Sequence, residues 1–254
     1  MDDMTLLDLA FALAREAGET ILRIRARGFD THKKADQSPV TEADHAAEAL
    51  ILARLRATTP GIPVVAEEEI AAGHVPADAR VYWVVDPLDG TREFAAGRDD
   101  FAVCIGLVRD GRPALGAVGA PAQGEVFGGI VGVGAWKRGK AGQVAISARH
   151  PPAEGIDVVA SHHYANDPRL GPFLAGRKVA SILNIGSALK FCRVAEGIAD
   201  LYPRFGRTME WDTAAPQAVV EAAGGSVLVL ETMQPLGYGK PGWENPSFVC
   251  AGRA

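Results

Sequence analysis

The sequence predicts a layered α/β fold, a mixed α+β sandwich in which helices cover β-sheets. Two amphipathic helical patterns open the chain, strand-like runs joined by glycine turns follow, and strands then alternate with short helices. A chain of 254 residues can form one large domain or two smaller units. We predict an N-terminal α+β subdomain over 1–146 and a C-terminal α/β subdomain over 147–254, because residues 147–155 are polar and rich in proline.

The N-terminal region predicts two helices. Residues 4–25 carry apolar side chains at helical spacing, so that one face is apolar. The polar stretch 28–39 is expected to be irregular. A second helix is expected to begin near Thr41 and to end at Pro60-Gly61, because proline and glycine interrupt helices.

The middle of the chain predicts antiparallel strands. Strand-like runs cover 62–66, 81–85, 101–108, 114–120, 125–130 and 134–137. Asp110-Gly111 between two of them is a strong signal for a two-residue hairpin turn. Beyond the predicted boundary, strands are expected at 156–160, 178–182, 200–202, 226–230 and 248–251, and helices at 167–175, 187–195 and 213–223.

Composition and charge narrow the class of protein. The net charge of −5 argues against a surface that binds nucleic acid, whereas a small phosphorylated substrate remains compatible because a bound cation would supply positive charge. No run approaches the roughly 18 apolar residues of a membrane span, and the acidic start at Asp2-Asp3 is unlike a secretory signal. Cys104, Cys192 and Cys250 lie in apolar runs, which favours buried, reduced thiols. We expect a cytoplasmic protein, with peripheral association with a membrane left open.

Asp86 and Asp89 follow the apolar run 81–85 and lead into Gly90-Thr91. Two carboxylates held this close repel each other unless a cation lies between them. Hard divalent ions such as Mg²⁺ bind oxygen ligands, usually carboxylates together with substrate phosphate. The glycine allows close backbone approach, and N–H groups at a turn into a helix can hold phosphate oxygens. The segment therefore predicts the centre of a metal-dependent phosphate site.

Two other acidic segments each have a structural and a functional interpretation. Glu67–Glu69 follows a predicted strand and is either a solvated loop or a third wall of the metal site. Thr41 and Asp44 form a capping box, in which Asp44 caps the helix or orients a hydroxyl or a metal-bound water. The adjacent His162-His163 pair is interpreted as loop or pocket-rim residues, because no partner lies at zinc-site spacing.

Asp212 stands at the start of a predicted helix and is expected to be its N-cap or a metal ligand. Ala214 and Ala215 are small and leave room for another group to approach the helix N-terminus closely, and that terminus attracts anions. If Asp212 is the cap, Pro216 lies at the limit of what the first turn of a helix tolerates.

Together these segments resemble the Mg²⁺-dependent, lithium-sensitive phosphatase superfamily that includes inositol monophosphatase and fructose-1,6-bisphosphatase. The matching segments, in family order, are Val40–Asp44, Glu67-Glu68, Asp86–Thr91 and Trp211-Asp212. The resemblance implies the αβαβα sandwich of the sugar phosphatases and two or three Mg²⁺ ions as cofactors. Arg92 departs from the family, which has lysine there, so that the charge is kept but the hydrogen-bonding geometry differs.

Within the superfamily the sequence is similar to bacterial 3′(2′),5′-bisphosphate nucleotidases of the CysQ type. The stretches that carry this likeness are Ser38–Thr41, Gly90–Phe94, Gly186–Cys192, Val194–Gly197 and Leu201–Gly206. The likeness implies hydrolysis of the 3′-phosphate of adenosine 3′,5′-bisphosphate to AMP and phosphate by a metal-activated water, in the context of sulfur metabolism. 3′-Phosphoadenosine 5′-phosphosulfate is a further candidate substrate. A monomer or homodimer is expected, without nucleic acid and without a transmembrane segment.

The resemblance also assigns roles to residues. Those that resemble metal ligands are Glu67, Asp86, Leu88 (through its carbonyl), Asp89 and Asp212. Thr91 and Asp44 would position the attacking water, and Glu68 would hold the outer shell of water. Those that resemble substrate contacts are Glu67, Leu88, Asp89, Gly90, Thr91, Lys190, Arg204 and Asp212.

Three alternatives remain open at this point. Lys190 and Arg204 are candidates for binding the distal 5′-phosphate, but they could equally be surface charges without a ligand. An inositol monophosphatase or sugar bisphosphatase on the same scaffold would share the metal chemistry. A non-catalytic binding module is disfavoured, because no carboxylate of the motif is missing.

Overall fold

Helices and strands alternate along the chain in the manner that the sequence predicts. The computed structural model describes residues 1–33, 39–76, 79–162 and 167–254. The helices in these ranges are α1 (Asp3–Arg27), α2 (Glu42–Thr58), α3 (Glu67–Ala71), α4 (Thr91–Ala95), α5 (Leu170–Leu174), α6 (Leu189–Ala195) and α7 (Glu210–Ala222). The strands are β1 (Thr31–Lys33), β2 (Pro39–Thr41), β3 (Val64–Ala66), β4 (Val81–Asp89), β5 (Ala102–Arg109), β6 (Arg112–Ala120), β7 (Glu125–Ile130), β8 (Gly134–Gly139), β9 (Gly142–Ile146), β10 (Ile156–Ala160), β11 (Val179–Asn184), β12 (Leu201–Arg204), β13 (Ser226–Val229) and β14 (Phe248–Ala251).

A seven-stranded sheet runs in the order β3-β4-β5-β6-β7-β8-β9. Only β3 and β4 are parallel in it, and the remaining neighbours are antiparallel. Along each strand of this sheet, successive side chains point to opposite faces. Trp83 and Ile105 pack in one core with α1 and α2, whereas Cys104 packs in a second core with α6 and α7. The sheet therefore lies between two helical layers.

A five-stranded sheet runs in the order β11-β10-β12-β14-β13, with β10 parallel to both of its neighbours. Phe248 and Cys250 share the second core with α6 and α7. Leu170 and Leu174 of α5 pack on the outer side of this sheet. The layers are thus α1/α2, sheet, α6/α7, sheet and α5, which confirms the predicted αβαβα sandwich. The subdomain boundary at 146/147 stays a prediction.

Small residues bring α7 close to the seven-stranded sheet. A Cβ atom on Gly106 would lie 2.7 Å from the Ala215 backbone nitrogen, and one on Gly116 would lie 2.5 Å from the Ala215 carbonyl oxygen. Contacts this short exclude any side chain at either glycine. The small residues Ala214 and Ala215 thus allow a close approach, as predicted, and the group that approaches Ala215 is the sheet; Ala214 is buried in a core cluster.

The structure adds to the predicted elements and corrects one of them. The stretch 28–39 is not wholly irregular, because β1 and β2 form an antiparallel pair with Thr31 opposite Thr41. Strand β9 was not predicted, and β4 continues to Asp89 rather than ending at 85. Ser38 lies outside the described residues. Across the ranges that the structure describes, every helix is too short or too polar to cross a bilayer. All three cysteines are buried and free, as predicted.

Candidate active site

Asp86 and Asp89 lie on either side of an irregularity in β4. Asp86 pairs with Cys104 and Asp89 with Ala102, so that three steps along β4 correspond to two steps along β5. Side chains three residues apart in a regular strand point to opposite faces. The additional residue of a bulge returns the second side chain to the face of the first. The backbone N–H of Leu88 donates to Asp86 Oδ1 at 2.9 Å and so holds the bulge in place.

Asp212 joins these two carboxylates from another element of the fold. Asp86, Asp89 and Asp212 each offer one oxygen, and the three oxygens lie within 4.8 Å of one another. Side chains separated by more than a hundred residues of sequence therefore converge, although each role as a metal ligand stays a prediction. The Asp89 carboxylate also accepts a hydrogen bond from the backbone N–H of Ala188, at the start of α6.

The predicted N-cap at Asp212 is wrong. Met209 is the N-cap residue of α7, and Asp212 is the third helical residue, whose carboxylate accepts a hydrogen bond from the Met209 N–H at 2.8 Å. This is the second half of a capping box, which satisfies a backbone donor that the helix itself cannot use. Because α7 begins earlier than expected, Pro216 lies inside the helix rather than in its first turn.

Electrostatics in this carboxylate cluster favour a cation. Burial raises the pKa of Asp89 to about 6, with the Lys190 ammonium opposing the shift. Burial, together with the nearby Asp89 charge, raises the pKa of Asp212 to about 7. The charge of Glu67 raises the pKa of both. A divalent cation would relieve this repulsion, and a donor set made only of oxygen atoms fits a hard ion such as Mg²⁺.

Asp44 both caps α2 and accepts a hydrogen bond from a hydroxyl, whereas its role towards water stays a prediction. Its Oδ2 atom accepts from the Thr41 N–H and the Thr41 hydroxyl, each at 2.7 Å, and completes the capping box of α2. Its Oδ1 atom lies 3.0 Å from the Thr91 hydroxyl oxygen, which also lies 3.0 Å from the Leu88 carbonyl oxygen. Burial raises the pKa of Asp44, and the Glu67 charge adds to this shift. The Asp44–Thr91 pair thus stands beside the carboxylate cluster.

Glu67–Glu69 forms the first turn of α3, so that the solvated-loop interpretation is wrong. The N-cap residue of this helix is Ala66, which has no side-chain acceptor. The Glu48 carboxylate of α2 takes its place, accepting the Glu68 N–H at 2.8 Å and the Glu69 N–H at 3.0 Å. Glu67 lines the adjacent cavity, and Glu68 is buried.

A cavity of about 420 Å³ opens at the carboxylate cluster. The predicted site residues that line it are Glu67, Asp89, Gly90, Thr91, Lys190, Arg204 and Asp212. Gly90 is required at its position, because its φ is +92° and a Cβ atom there would lie 3.1 Å from the Asp100 carbonyl oxygen. Arg92, the departure from the family, also lines the cavity.

Cationic side chains also line the cavity and form its cationic wall. Lys190 of α6 is only 3% exposed, and its Nζ donates to the Ser187 carbonyl at 2.6 Å and to the Ile185 carbonyl at 3.1 Å. Burial lowers the pKa of Lys190 to about 8, while the Asp89 charge opposes the shift. The interpretation of Lys190 as a surface charge is therefore wrong. Arg204 at the end of β12 donates to the Arg207 carbonyl at 2.9 Å, and both arginines line the cavity.

Sequence reasoning missed several parts of this site. Phe191 and Tyr202 were noted only as parts of two family-like stretches and were given no role, yet both line the cavity. Glu48 was not considered, although its position one turn after Asp44 on α2 was a usable signal. Of the histidine pair, His162 is exposed and bonds to Asp100 at 2.8 Å, and His163 lies outside the described residues.

The sandwich and its carboxylate cluster define the class to which this protein belongs. A model of the inositol monophosphatase family matches residues 2–250, so that the chain belongs to this family. The prediction of a phosphatase-class enzyme from the four sequence segments is thereby confirmed.

Named relatives point to one branch of the family. The chain is 42% identical over 248 residues to the 3′(2′),5′-bisphosphate nucleotidase CysQ of Escherichia coli K12, covering 96% of this chain and 98% of that protein. The crystal structure of CysQ from Bacteroides thetaiotaomicron superposes with a TM-score of 0.82 at 32% identity over 98% of each chain. An inositol monophosphatase from Zymomonas mobilis gives 0.80 at 28% identity over 100% of this chain and 94% of its own. The predicted similarity to CysQ-type nucleotidases is confirmed.

Proposed function

We propose that this protein is a Mg²⁺-dependent phosphatase that removes the 3′-phosphate of adenosine 3′,5′-bisphosphate, giving AMP and phosphate. One observation carries the proposal: Asp89 and Asp212 of the three-carboxylate cluster line the same cavity as a buried lysine and two arginines. A cation at the carboxylates would bind the phosphate that is cleaved. Lys190 and Arg204 would bind the second phosphate, which a monophosphate lacks. The similarity to CysQ nucleotidases supports the same substrate.

Asp86, Asp89, Asp212, Glu67 and the Leu88 carbonyl would hold two or three Mg²⁺ ions. When bound, these ions would supply positive charge that acidifies water and stabilises the charge that develops on the phosphate and the leaving oxygen. Lithium inhibition would follow from Li⁺ occupying one of these positions.

The protein groups around the phosphate would orient the reactants. The Thr91 hydroxyl oxygen lies 3.0 Å from Asp44 Oδ1. The hydroxyl would hold the attacking water, accept a proton from this water and donate its own proton to Asp44. The backbone amides of Gly90 and Thr91 would donate to the phosphate oxygens, and Glu68 would order water behind the site. No protein side chain becomes phosphorylated in this scheme, so that positioning and charge neutralisation provide most of the rate.

Phosphate release from a panel of substrates tests the proposal. The purified protein is assayed with adenosine 3′,5′-bisphosphate, 3′-phosphoadenosine 5′-phosphosulfate, inositol 1-phosphate and fructose 1,6-bisphosphate, with Mg²⁺ and after chelation. We expect the highest kcat/KM with adenosine 3′,5′-bisphosphate, a nucleotide product identical to AMP by chromatography, and no turnover after chelation. A higher kcat/KM with inositol 1-phosphate or fructose 1,6-bisphosphate would reject the nucleotide assignment.

A further inference from the structure

We propose that Glu48 is a positioning residue for metal binding: it fixes the turn that presents Glu67 to the carboxylate cluster. The proposal rests on the proposed function, in which Glu67 is a metal ligand. Glu48 is 5% exposed and belongs to α2, whereas Glu67 belongs to α3. Glu48 is not among the described residues that line the cavity. It would therefore act by positioning α3 and not by contact with the substrate.

The contact between the two elements is bidentate. Glu48 Oε2 accepts the Glu68 N–H at 2.8 Å, and Glu48 Oε1 accepts the Glu69 N–H at 3.0 Å. Serine, threonine, aspartate and asparagine are preferred at the N-cap because their side-chain oxygen accepts one of these first N–H groups. Ala66 occupies the N-cap of α3 and cannot do so. The direction of the first turn of α3 is therefore set by a side chain from a different helix.

This contact determines where the Glu67 side chain points. The Glu68 N–H belongs to the peptide group that begins at the Glu67 carbonyl, so that holding it restricts the backbone torsion at Glu67. Charge-assisted hydrogen bonds to both carboxylate oxygens restrict rotation as well as distance. Loss of either bond would let α3 tilt and would move the Glu67 carboxylate relative to Asp89 and Asp212.

Helix α2 also links the two halves of the proposed chemistry. Asp44 and Glu48 are four residues apart, and side chains at this spacing lie on the same face of a helix. Asp44 holds Thr91 on one side, and Glu48 holds α3 on the other. One rigid turn of α2 thus sets the spacing between the group that orients the water and the segment that carries Glu67.

The test compares Glu48→Gln and Glu48→Asp with the unmodified protein. Glutamine offers only one acceptor to two N–H groups, and aspartate keeps the charge but is shorter by one methylene. Partners that orient metal ligands typically contribute about 10-fold to 100-fold in metal affinity or activity. We expect Glu48→Gln to raise the Mg²⁺ concentration for half-maximal activity roughly tenfold, with a smaller rise for Glu48→Asp. The KM for nucleotide at saturating Mg²⁺ should stay within about twofold.

Mn²⁺ binding to the substrate-free protein, followed by electron paramagnetic resonance, provides a readout that does not need turnover. It should weaken in parallel with the Mg²⁺ dependence. Glu42→Gln is the matched control, because it removes an exposed carboxylate from the same helix. If Glu48→Gln does not fold, Glu48→Asp alone decides. A variant with lower thermal stability but unaltered Mg²⁺ and Mn²⁺ affinities would overturn the proposal. An unmodified protein that binds Mn²⁺ but does not release phosphate would instead refute the proposed function.

Discussion

Two walls of one cavity are built in different ways. The acidic wall (Glu67, Asp89 and Asp212, with Asp86 beside them in the carboxylate cluster) comes from irregular backbone: the first turns of two helices and a strand bulge. Backbone N–H groups donate directly to Asp86, Asp89 and Asp212. The cationic wall (Lys190, Arg204 and Arg207) comes from α6, the end of β12 and the segment after it, and Lys190 and Arg204 there donate to backbone carbonyls.

The difference indicates separate roles: the acidic wall suits metal binding, and the cationic wall suits phosphate binding. Carboxylates that are held by backbone donors keep fixed positions, as proposed metal ligands require. Cations that bond to carbonyls can exchange a carbonyl for a stronger phosphate acceptor when substrate binds. Substitutions in the acidic wall should therefore lower kcat and the response to Mg²⁺, whereas substitutions in the cationic wall should change the KM and the preference among substrates.

The largest effect is expected for Asp89→Asn in the acidic wall. The amide keeps the size of the side chain but removes a negative charge from the carboxylate cluster. Loss of one preorganised electrostatic group commonly costs about 10²-fold to 10³-fold in kcat. We expect at least this loss in Mg²⁺-dependent phosphate release, without a lower melting temperature, since the charge that is removed is destabilising in the absence of metal.

Asp110→Asn is the matched control for this change. Asp110 is exposed in the hairpin turn between β5 and β6, where it pairs with Arg80. Its substitution should leave kcat unchanged. Near-normal turnover by Asp89→Asn would remove Asp89 from the set of metal ligands and would contradict the division between the walls.

Lys190→Met in the cationic wall is expected to have a smaller and more selective effect. Methionine fills similar space but cannot bind a phosphate. A hydrogen bond to a charged group contributes about 1.5–3 kcal/mol, which corresponds to a KM for adenosine 3′,5′-bisphosphate raised roughly tenfold to a hundredfold. With adenosine 3′-phosphate, which lacks the distal phosphate, kcat/KM should change by less than about threefold.

Lys178→Met controls for the loss of a lysine, because Lys178 is exposed and donates only to the Ala153 carbonyl among the contacts described. If Lys190→Met lowers kcat/KM equally for both nucleotides, Lys190 stabilises α6 and does not recognise the second phosphate. Melting temperatures of the two variants separate these cases, because an architectural role would lower stability as well.

The sequence predicted which residues form the acidic wall, but it did not predict how the backbone places them. The spacing of Asp86 and Asp89 after an apolar strand was sufficient to predict an oxygen-ligand site. It did not show that β4 continues through both residues, because a bulge depends on the register of the neighbouring strand. The N-cap of α7 was misplaced at Asp212 because an aspartate at N3 and an aspartate at N-cap have the same local sequence signature.

The cationic wall was harder to predict, since its residues become neighbours only through tertiary packing. Lys190 stands between apolar residues, and nothing local distinguishes a buried lysine from an exposed one. Family resemblance named Lys190 and Arg204, but the contacts of Lys190 with the Ile185 and Ser187 carbonyls required the fold. The fold class itself was predictable, because strand and helix periods extend over many residues.

The smallest expected effect concerns the acidic wall without metal. Burial raises the pKa of Asp89 to about 6 and that of Asp212 to about 7, both above the ordinary value of 3.8. A carboxyl group with a raised folded-state pKa stabilises the fold below the unfolded pKa, and this contribution is lost as pH rises through the folded pKa. The melting temperature of the protein in a chelator should therefore fall by several degrees between pH 5 and pH 8.

Added Mg²⁺ should reverse this trend, because it binds the ionised carboxylates and competes with protons at low pH. The melting temperature should rise more on addition of Mg²⁺ at pH 8 than at pH 5. Asp212→Asn removes one of the titrating groups and should flatten the pH dependence in chelator, whereas Asp110→Asn should leave it unchanged. A melting temperature that rises from pH 5 to pH 8 in chelator, equally with and without Asp212, would mean that the acidic wall does not repel itself. The acidic wall would then not require a bound cation, and the contrast with the cationic wall would not hold.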